Sequence, residues 1–439
     1  MRFTRLKFAA LAAFIGSFLA APAEAVLHLD ITHPNVSPLP IALNDLTSDD
    51  SGASQLGRDI TRVAAADLER SGLFRPIDQS AFIEKITSAN AIPRFADWRQ
   101  INAQALVTGT ISVSGSKVRV DFRVWDTFGE SQLTGKEFNS TEANWRRVGH
   151  LMADEIYKRI TGEDGYFDSR VVYVAESGPL KHRSKRLAIM DQDGENHKFL
   201  TDGSTLVLTP RFSPNSQEIL YLSYAGHQPR VYLRDLQSGE EESLGHFEGM
   251  SFAPRFSNDG NKVVMSIARN GSTQLYTMDL RSRVLKQITN TPGIINTSPS
   301  FSPDGSKIVF NSDRGGSQQL YTMDAGGGNV QRISFGTGSY GTPVWSPRGD
   351  LISFTKPSTH GDFSIGVMHV DGSGERELSS SYLEEGPTWS PNGRVLMYYR
   401  QDRGGHPRLH SVDLTGSNSR EVMTPLDGSD PAWSPRLPM

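Results

Sequence analysis

The residues of this chain best suited to chemistry are serines and aspartates that recur in one repeated phrase. Pro-x-[Phe/Trp]-Ser occurs six times, and its third copy reads Pro-Ser-Phe-Ser-Pro-Asp-Gly. A serine nucleophile is usually exposed by a Gly-x-Ser-x-Gly turn, and the sequence contains no such motif. It also lacks a His-Glu-x-x-His zinc motif, a Walker loop and a dinucleotide-binding glycine pattern. We therefore predict that these side chains satisfy backbone groups in turns and that the chain is not an enzyme.

Two smaller groups of residues could hold a metal ion. His28, His33 and His150 do not have ligand spacing, so packing or surface roles are the better interpretation. The segment 191–194, Asp-Gln-Asp-Gly, resembles the start of a calcium loop but lacks the remaining ligand positions. We predict a hairpin turn there. The sequence thus predicts neither a metal site nor a cofactor.

The spacing of the repeated phrase predicts the architecture. Successive copies lie 44, 45, 44, 44 and 44 residues apart, a period typical of four-stranded propeller blades. Residues 171–200 offer three strands with no motif strand before them, and residues 431–434 offer a motif strand with nothing after it. Together these ends complete a sixth blade, and their pairing closes the ring. The aromatic residues of the motif are expected to pack between neighbouring blades.

Residues 26–162 lack the repeat and predict a small domain of mixed α and β structure. Alternating apolar residues predict strands at 26–31, 39–43, 105–113, 117–125 and 133–138. Helical spacing predicts one helix over 56–68 and another over 142–160, ended by Gly72 and Gly162. The predicted fold class is therefore an α+β N-terminal domain followed by an all-β six-bladed β-propeller. The propeller is closed by pairing of its first and last strands.

The first 25 residues predict a cleaved export signal. Arg2, Arg5 and Lys7 precede an apolar run at 8–21, and Ala-Glu-Ala at 23–25 fits a cleavage site. An uncleaved anchor is the alternative. The chain has no cysteine and a net charge of -4, which gives no general attraction to nucleic acid. We predict a periplasmic mature chain with domains at 26–162 and 163–439.

This order of parts resembles the TolB family of the Tol-Pal system. The resemblance rests on the cysteine-free export signal, the small α/β domain and six blades whose last copy reads PAWSP, and it covers the whole chain. It implies a non-enzymatic scaffold that supports outer-membrane integrity and constriction during cell division. The implied partners are the lipoprotein Pal, the inner-membrane protein TolA, and further outer-membrane lipoproteins, porins and colicins. A monomer without a membrane span is expected.

We predict that Pal docks over one mouth of the propeller channel. If each motif strand is the innermost strand of its blade, the residues just before each motif proline lie at one entrance. Their mixed chemistry suits a protein partner better than a catalytic centre. The resemblance adds that Met250, Ala253 and Thr297 match Pal-contacting positions of the family. The candidates are Thr209, Met250, Ala253, Thr297, Ser298, Tyr340, Thr342, Glu385 and Asp430.

A second candidate site is the mature N-terminus, which we predict to be a mobile or detachable arm. Apolar residues alternate there, but three prolines at 34, 38 and 40 limit regular pairing. The resemblance makes this arm the TolA-binding segment, able to add a strand to a partner sheet. A permanent edge strand of its own domain is the alternative. The candidates are Val26, Leu27, His28, Leu29, Asp30 and Ile31.

One other function class remains open. A periplasmic propeller can bind a small ligand or hydrolyse a sugar or lactone, with acidic or metal-binding residues around the channel.

Overall fold

A computed structural model describes residues 27–31, 37–86, 88, 91–225, 229–357 and 361–438. The predicted export signal and Val26 lie outside the described residues. Within them, a five-stranded sheet with three α-helices precedes six four-stranded sheets. The predicted fold class is confirmed.

The N-terminal sheet has the strand order β2-β1-β3-β4-β5, with β1 parallel to both of its neighbours. Its helices cover the two faces. The longer two, α1 and α3, belong to the main apolar cluster, and α2 packs through Phe95 and Trp98 against Trp125. The elements are β1 Leu39–Leu43, α1 Ser51–Arg70, β2 Phe74–Pro76, α2 Phe95–Gln100, β3 Ala105–Ser114, β4 Lys117–Asp126, β5 Ser131–Thr141 and α3 Trp145–Thr161.

Local sequence explains where the two long helices begin and end. The Asp50 side chain accepts a hydrogen bond from the backbone N–H of Ala53 at 2.8 Å and caps the start of α1. Gly162 has a φ of 77° and ends α3 in the left-handed region, as predicted. The strand predicted at 26–31 is wrong for its described residues, because 27–31 pair with no strand. The short β2 and α2 were not predicted.

Each blade is an antiparallel four-stranded sheet, and the closing blade combines the two ends of the propeller. The closing blade contains β6 Ser169–Ser177, β7 Ser184–Asp191, β8 Lys198–Phe199 and, from the C-terminus, β29 Asp427–Arg436. Blades 1 and 2 contain β9 Val207–Phe212, β10 Glu218–Ser223, β11 Arg230–Asp235, β12 Glu241–Ser243, β13 Met250–Phe256, β14 Lys262–Arg269, β15 Ser272–Asp279 and β16 Leu285–Gln287. Blades 3 to 5 contain β17 Asn296–Phe301, β18 Lys307–Ser312, β19 Gln319–Asp324, β20 Gln331–Arg332, β21 Gly341–Trp345, β22 Leu351–Pro357, β23 Phe363–His369, β24 Arg376–Ser381, β25 Leu383–Trp389, β26 Val395–Gln401, β27 Pro407–Asp413 and β28 Arg420–Val422.

The C-terminal strand closes the ring. β29 pairs antiparallel with β6, and Trp433 lies opposite Val171. The indole N–H of Trp433 donates to the Ser169 hydroxyl at 2.9 Å, and the Leu437 N–H donates to the Asp168 carbonyl at 2.9 Å. These bonds give β6 a partner on the side that would otherwise be an open edge.

The repeated motif residues hold turns and join blades. In blade 3, the Ser302 hydroxyl accepts the N–H of Lys307 at 2.9 Å and donates to Asp304 at 2.5 Å. The indole N–H of Trp389 crosses to the Val344 carbonyl of the preceding blade at 3.1 Å. The motif serines and aromatic residues therefore have the structural roles predicted for them.

Candidate functional site

The six motif strands surround a central channel. β9, β13, β17, β21, β25 and β29 contact one another in a closed cycle. Where these strands end, a cavity of about 430 Å³ is lined by motif residues from every blade. The motif strand is therefore the innermost strand of each blade, and the residues that precede the motif prolines lie toward the opposite entrance.

The residue before every motif proline has a left-handed backbone. A β-bulge interrupts the pairing of each motif strand at this point. Bulges bend a strand and change the direction of a side chain. We call these six residues the bulge ring: Thr209 with φ 47°, Ala253 with φ 49°, Ser298 with φ 52°, Thr342 with φ 44°, Gly386 with φ 68° and Asp430 with φ 51°.

The nine propeller candidates are members of the bulge ring or lie within three residues of it along the chain, and they differ in exposure. Met250 is 41% exposed, whereas Tyr340 is 1% exposed and donates its hydroxyl to Glu375 at 2.8 Å. Tyr340 also packs on Phe354 within the apolar cluster between blades 3 and 4, so its side chain does not face a partner. The remaining candidates are partly exposed: Thr209, Ala253, Thr297, Ser298, Thr342, Glu385 and Asp430.

Polar side chains at the mouth connect neighbouring strands. The Thr209 N–H donates to Asp430 across the junction of blade 1 and the closing blade at 3.4 Å. Burial raises the pKa of Asp430, although Arg211 beside it acts in the opposite direction. The Tyr399 hydroxyl donates to Glu385 at 2.7 Å. These contacts fix the two carboxylates of the mouth in place.

The described part of the arm lies packed on the N-terminal domain. Leu27 and Leu29 are partly buried against its main apolar cluster. The Leu29 N–H donates to the Ile160 carbonyl at 2.8 Å, and the Leu27 N–H donates to Asp126 at 3.2 Å. Ile31 lines a groove between this domain and blade 5. The described arm is thus neither free nor an edge strand of the sheet.

A buried ionic cluster joins the N-terminal domain to the closing blade. The Nδ1 atom of His150 lies 2.6 Å from Asp67, and the Gln192 side chain donates to Asp67 at 2.8 Å. Burial would lower the pKa of His150, but Asp67 and the neighbouring acids Asp191 and Asp193 raise it to about 10. The surrounding acids thus favour the charged form of His150.

Arginines complete this cluster from both sides. Arg146 binds Asp193 at 2.5 Å, and Arg70 binds Asp67. Asp67, His150 and Asp193 lie close enough together to hold a cation. Within the described residues, they form the one cluster of three acidic or histidine side chains with this spacing. Because arginines and a protonated histidine already neutralise the two carboxylates, we interpret the cluster as a structural joint. Residues 191–194 form the hairpin turn predicted for them.

Sequence analysis missed two arginines inside the channel. Arg211 and Arg255 occupy the variable position of the first two motif copies and line the cavity. The signal was present, because the six copies carry Arg, Arg, Ser, Val, Thr and Ala at this position. Reading the variable position as a channel-lining ring would have identified the pair.

Comparison with known proteins identifies the family. The profile described as the TolB amino-terminal domain matches residues 27–133, and that of the TolB beta propeller domain matches residues 157–437. Tol-Pal system protein TolB of Paramagnetospirillum magneticum is 58% identical over 247 residues, which are 56% of this chain and 55% of that relative. The aligned part thus spans about half the length of that relative. The crystal structure of TolB from Acinetobacter baumannii has a TM-score of 0.81 at 28% identity, covering 93% of this chain and 100% of that one.

The first relative carries the name of a Tol-Pal system protein, and neither name denotes an enzyme, in agreement with the prediction from sequence. Within the described residues, no helix combines the length and apolar character needed to cross a membrane. The first profile covers the N-terminal domain through β4, and the second begins within α3 and covers the propeller. The chain belongs to the TolB family.

Proposed function

We propose that this chain is a non-enzymatic periplasmic scaffold of the Tol-Pal system that binds Pal through the bulge-ring mouth and TolA through residues 26–31. In this role it supports outer-membrane integrity and constriction during division. The observation that carries the proposal is the bulge ring. Six repeated bulges surround one entrance and carry a partly exposed surface of small polar groups, two acids and Met250. Such a surface suits a protein partner.

Arginine substitutions test the Pal-binding surface. Ala253→Arg and Thr297→Arg add bulk and charge to a fitted surface, so each should weaken Pal binding by about 2 kcal/mol or more, close to thirtyfold in Kd. Gln237→Arg adds the same group on the exposed hairpin between β11 and β12 and serves as the control. Titration calorimetry with purified Pal measures the three affinities. Parent-like Pal affinity in both ring variants would move the interface elsewhere, to the outer edges of the blades.

We propose that the arm exchanges its contacts on the N-terminal domain for TolA. Its described residues have no strand pairing to break, and Leu27 and Leu29 bury only part of their surface. A short segment held in this way can leave and add a strand to a partner sheet. Deleting 26–36 should abolish TolA binding and leave Pal binding intact, whereas Ala253→Arg should do the reverse. TolA binding that survives the deletion contradicts this part of the proposal.

We further propose that 1–25 are removed on export, which leaves domains at 26–162 and 163–439. The position of Gly162 between α3 and β6 supports this boundary. Mass spectrometry of the chain from a periplasmic extract should give the mass of 26–439. A pull-down from envelope extract with the same chain should recover Pal and TolA. Turnover of a sugar or lactone, with neither partner recovered, would favour the small-ligand alternative.

A further inference from the structure

The variable residue of the motif forms a second ring, deeper in the channel than the bulge ring. It is the second residue of each Pro-x-[Phe/Trp]-Ser copy and lines the cavity in every blade. We call it the inner ring: Arg211, Arg255, Ser300, Val344, Thr388 and Ala432.

Two uncharged members of the inner ring connect neighbouring blades. The Ser300 hydroxyl accepts the N–H of Trp345 at 3.2 Å, and the Thr388 hydroxyl accepts the N–H of Trp433 at 3.1 Å. In both cases the side chain joins its own blade to the next one. A small residue is therefore sufficient for the structural role at this position. Arg211 and Arg255, on neighbouring blades, are larger and charged, and the structural role requires neither property.

The positive charge of the two arginines is poorly compensated. Among the described residues, Arg255 forms no ion pair, and the charged group that acts on its pKa is Arg211. Arg211 donates to its own neighbour, the Pro210 carbonyl, at 2.6 Å, and Asp430 is the carboxylate that acts on it. Burial lowers the pKa of both guanidinium groups, and Arg211 lowers that of Arg255 further. Two like charges in a confined site cost free energy unless an anion accompanies them.

The surrounding cavity has the chemistry of an anion site. Its volume is about 430 Å³, and in the described part of the chain no aspartate or glutamate lines it. The third arginine of the lining, Arg436, is paired with Asp164 at 3.3 Å. Arg211 and Arg255 are thus the arginines of the cavity lining that form no ion pair among the described residues. A guanidinium presents a planar fork of donors that matches phosphate and carboxylate oxygens.

We propose that the propeller channel binds a small oxyanion, of the phosphate or carboxylate type, between Arg211 and Arg255. The anion neutralises the pair and fixes the relative position of blades 1 and 2. This site lies within the channel, on the inner ring that follows the bulge ring along each motif strand. It does not depend on Pal or TolA binding.

Titration calorimetry of the mature chain with inorganic phosphate tests the site, with acetate as the carboxylate probe. All titrations use a chloride buffer at fixed ionic strength. Saturable binding of either probe is expected, and tighter binding of one identifies the ligand class. Arg255→Gln should weaken that binding at least about tenfold, because it removes a charged donor group. Arg281→Gln, at an exposed arginine of the β15–β16 hairpin in the same blade, should bind like the parent.

Thermal melting separates this role from simple packing. In chloride buffer, Arg255→Gln should melt no lower than the parent, because it removes a half-buried charge that has no ion pair. Phosphate or acetate, at a concentration that saturates the parent, should then raise the Tm of the parent by more than that of the variant. If Arg255→Gln does not fold, Arg255→Lys, which keeps the charge but lacks the fork, should still weaken binding. Absence of saturable binding of both probes to the parent overturns the proposal, as does parent-like binding by the Arg255 variants.

Discussion

Replacing Trp433 with alanine should release the joint that closes the propeller. Trp433 lies on β29, the one strand of the closing blade that comes from the C-terminus, and it is 7% exposed. Its ring packs edge-on against Tyr166 at a centroid distance of 5.7 Å. Its indole N–H donates to Ser169 at the start of β6. The side chain thus contacts both the segment between α3 and β6, through Tyr166, and β6 itself, with which β29 pairs.

The expected loss of stability has two parts. Truncating a buried tryptophan to alanine costs about 3–5 kcal/mol, which includes the cavity that remains. The lost hydrogen bond adds about 1 kcal/mol, because Ser169 keeps its own donation to the Tyr166 carbonyl. The total is about 4–6 kcal/mol. A loss of this size should also open the pairing of β29 with β6 before the other blades unfold.

Trp389 provides a matched control for this experiment. It occupies the same motif position in blade 5, is 6% exposed and also donates through its indole N–H, to Val344. The free energy of unfolding in urea should fall by a similar amount in Trp389→Ala and Trp433→Ala. Hydrogen exchange at 169–177 should accelerate strongly only in Trp433→Ala. A Trp433→Ala protein within about 1 kcal/mol of the parent, or equal exchange in both variants, would refute the reasoning.

Three further changes have defined outcomes. Despite burial, neighbouring carboxylates raise the pKa of His150 to about 10, so the parent should lose stability as the pH rises from about 6.5 to 10, where the unfolded chain has released that proton. His150→Gln should reduce this dependence of stability on pH. Urea midpoints that fall equally with pH in the parent and the variant would contradict the prediction. Glu163→Gln breaks the ion pairs with Arg348 and Arg394 and should lower the free energy of unfolding in urea by about 1–2 kcal/mol. An unchanged urea midpoint would show that these two ion pairs do not stabilise the fold. Gly386→Ala places a Cβ at φ 68° without a clash and should cost about 1–2 kcal/mol by thermal melting, so an unchanged Tm would show that the bulge is unstrained.

The propeller could be predicted from sequence because its information is repeated. One motif strand per blade fixes the period, and the incomplete first and last segments fix the closure. The helix over 142–160 was also predictable, since its apolar spacing agrees with the glycine stop at Gly162. In these elements local preference and long-range packing favour the same structure.

The parts that sequence did not predict depend on distant contacts. Residues 27–31 alternate like a strand but meet the end of α3 instead of a sheet edge, as the bond from Leu29 to Ile160 shows. The three-residue β2 is too short to have a pattern and exists because it pairs with β1. His150 had no ligand spacing, yet folding surrounds it with acids from α1 and from the β7–β8 turn. Such contacts are absent from any local window of sequence.

The bulge ring itself argues for a role beyond folding. Glycine adopts a left-handed backbone at little cost, and Gly386 occupies this place in blade 5. The other five members are Thr209, Ala253, Ser298, Thr342 and Asp430, and each non-glycine residue in this conformation costs about 1–3 kcal/mol. Glycine would relieve that cost at every position, and bonds within the fold explain the side chains of Asp430 and Thr342 but not those of Ala253 and Ser298. Their location at one entrance, partly exposed, supports the mouth as the surface that a partner recognises.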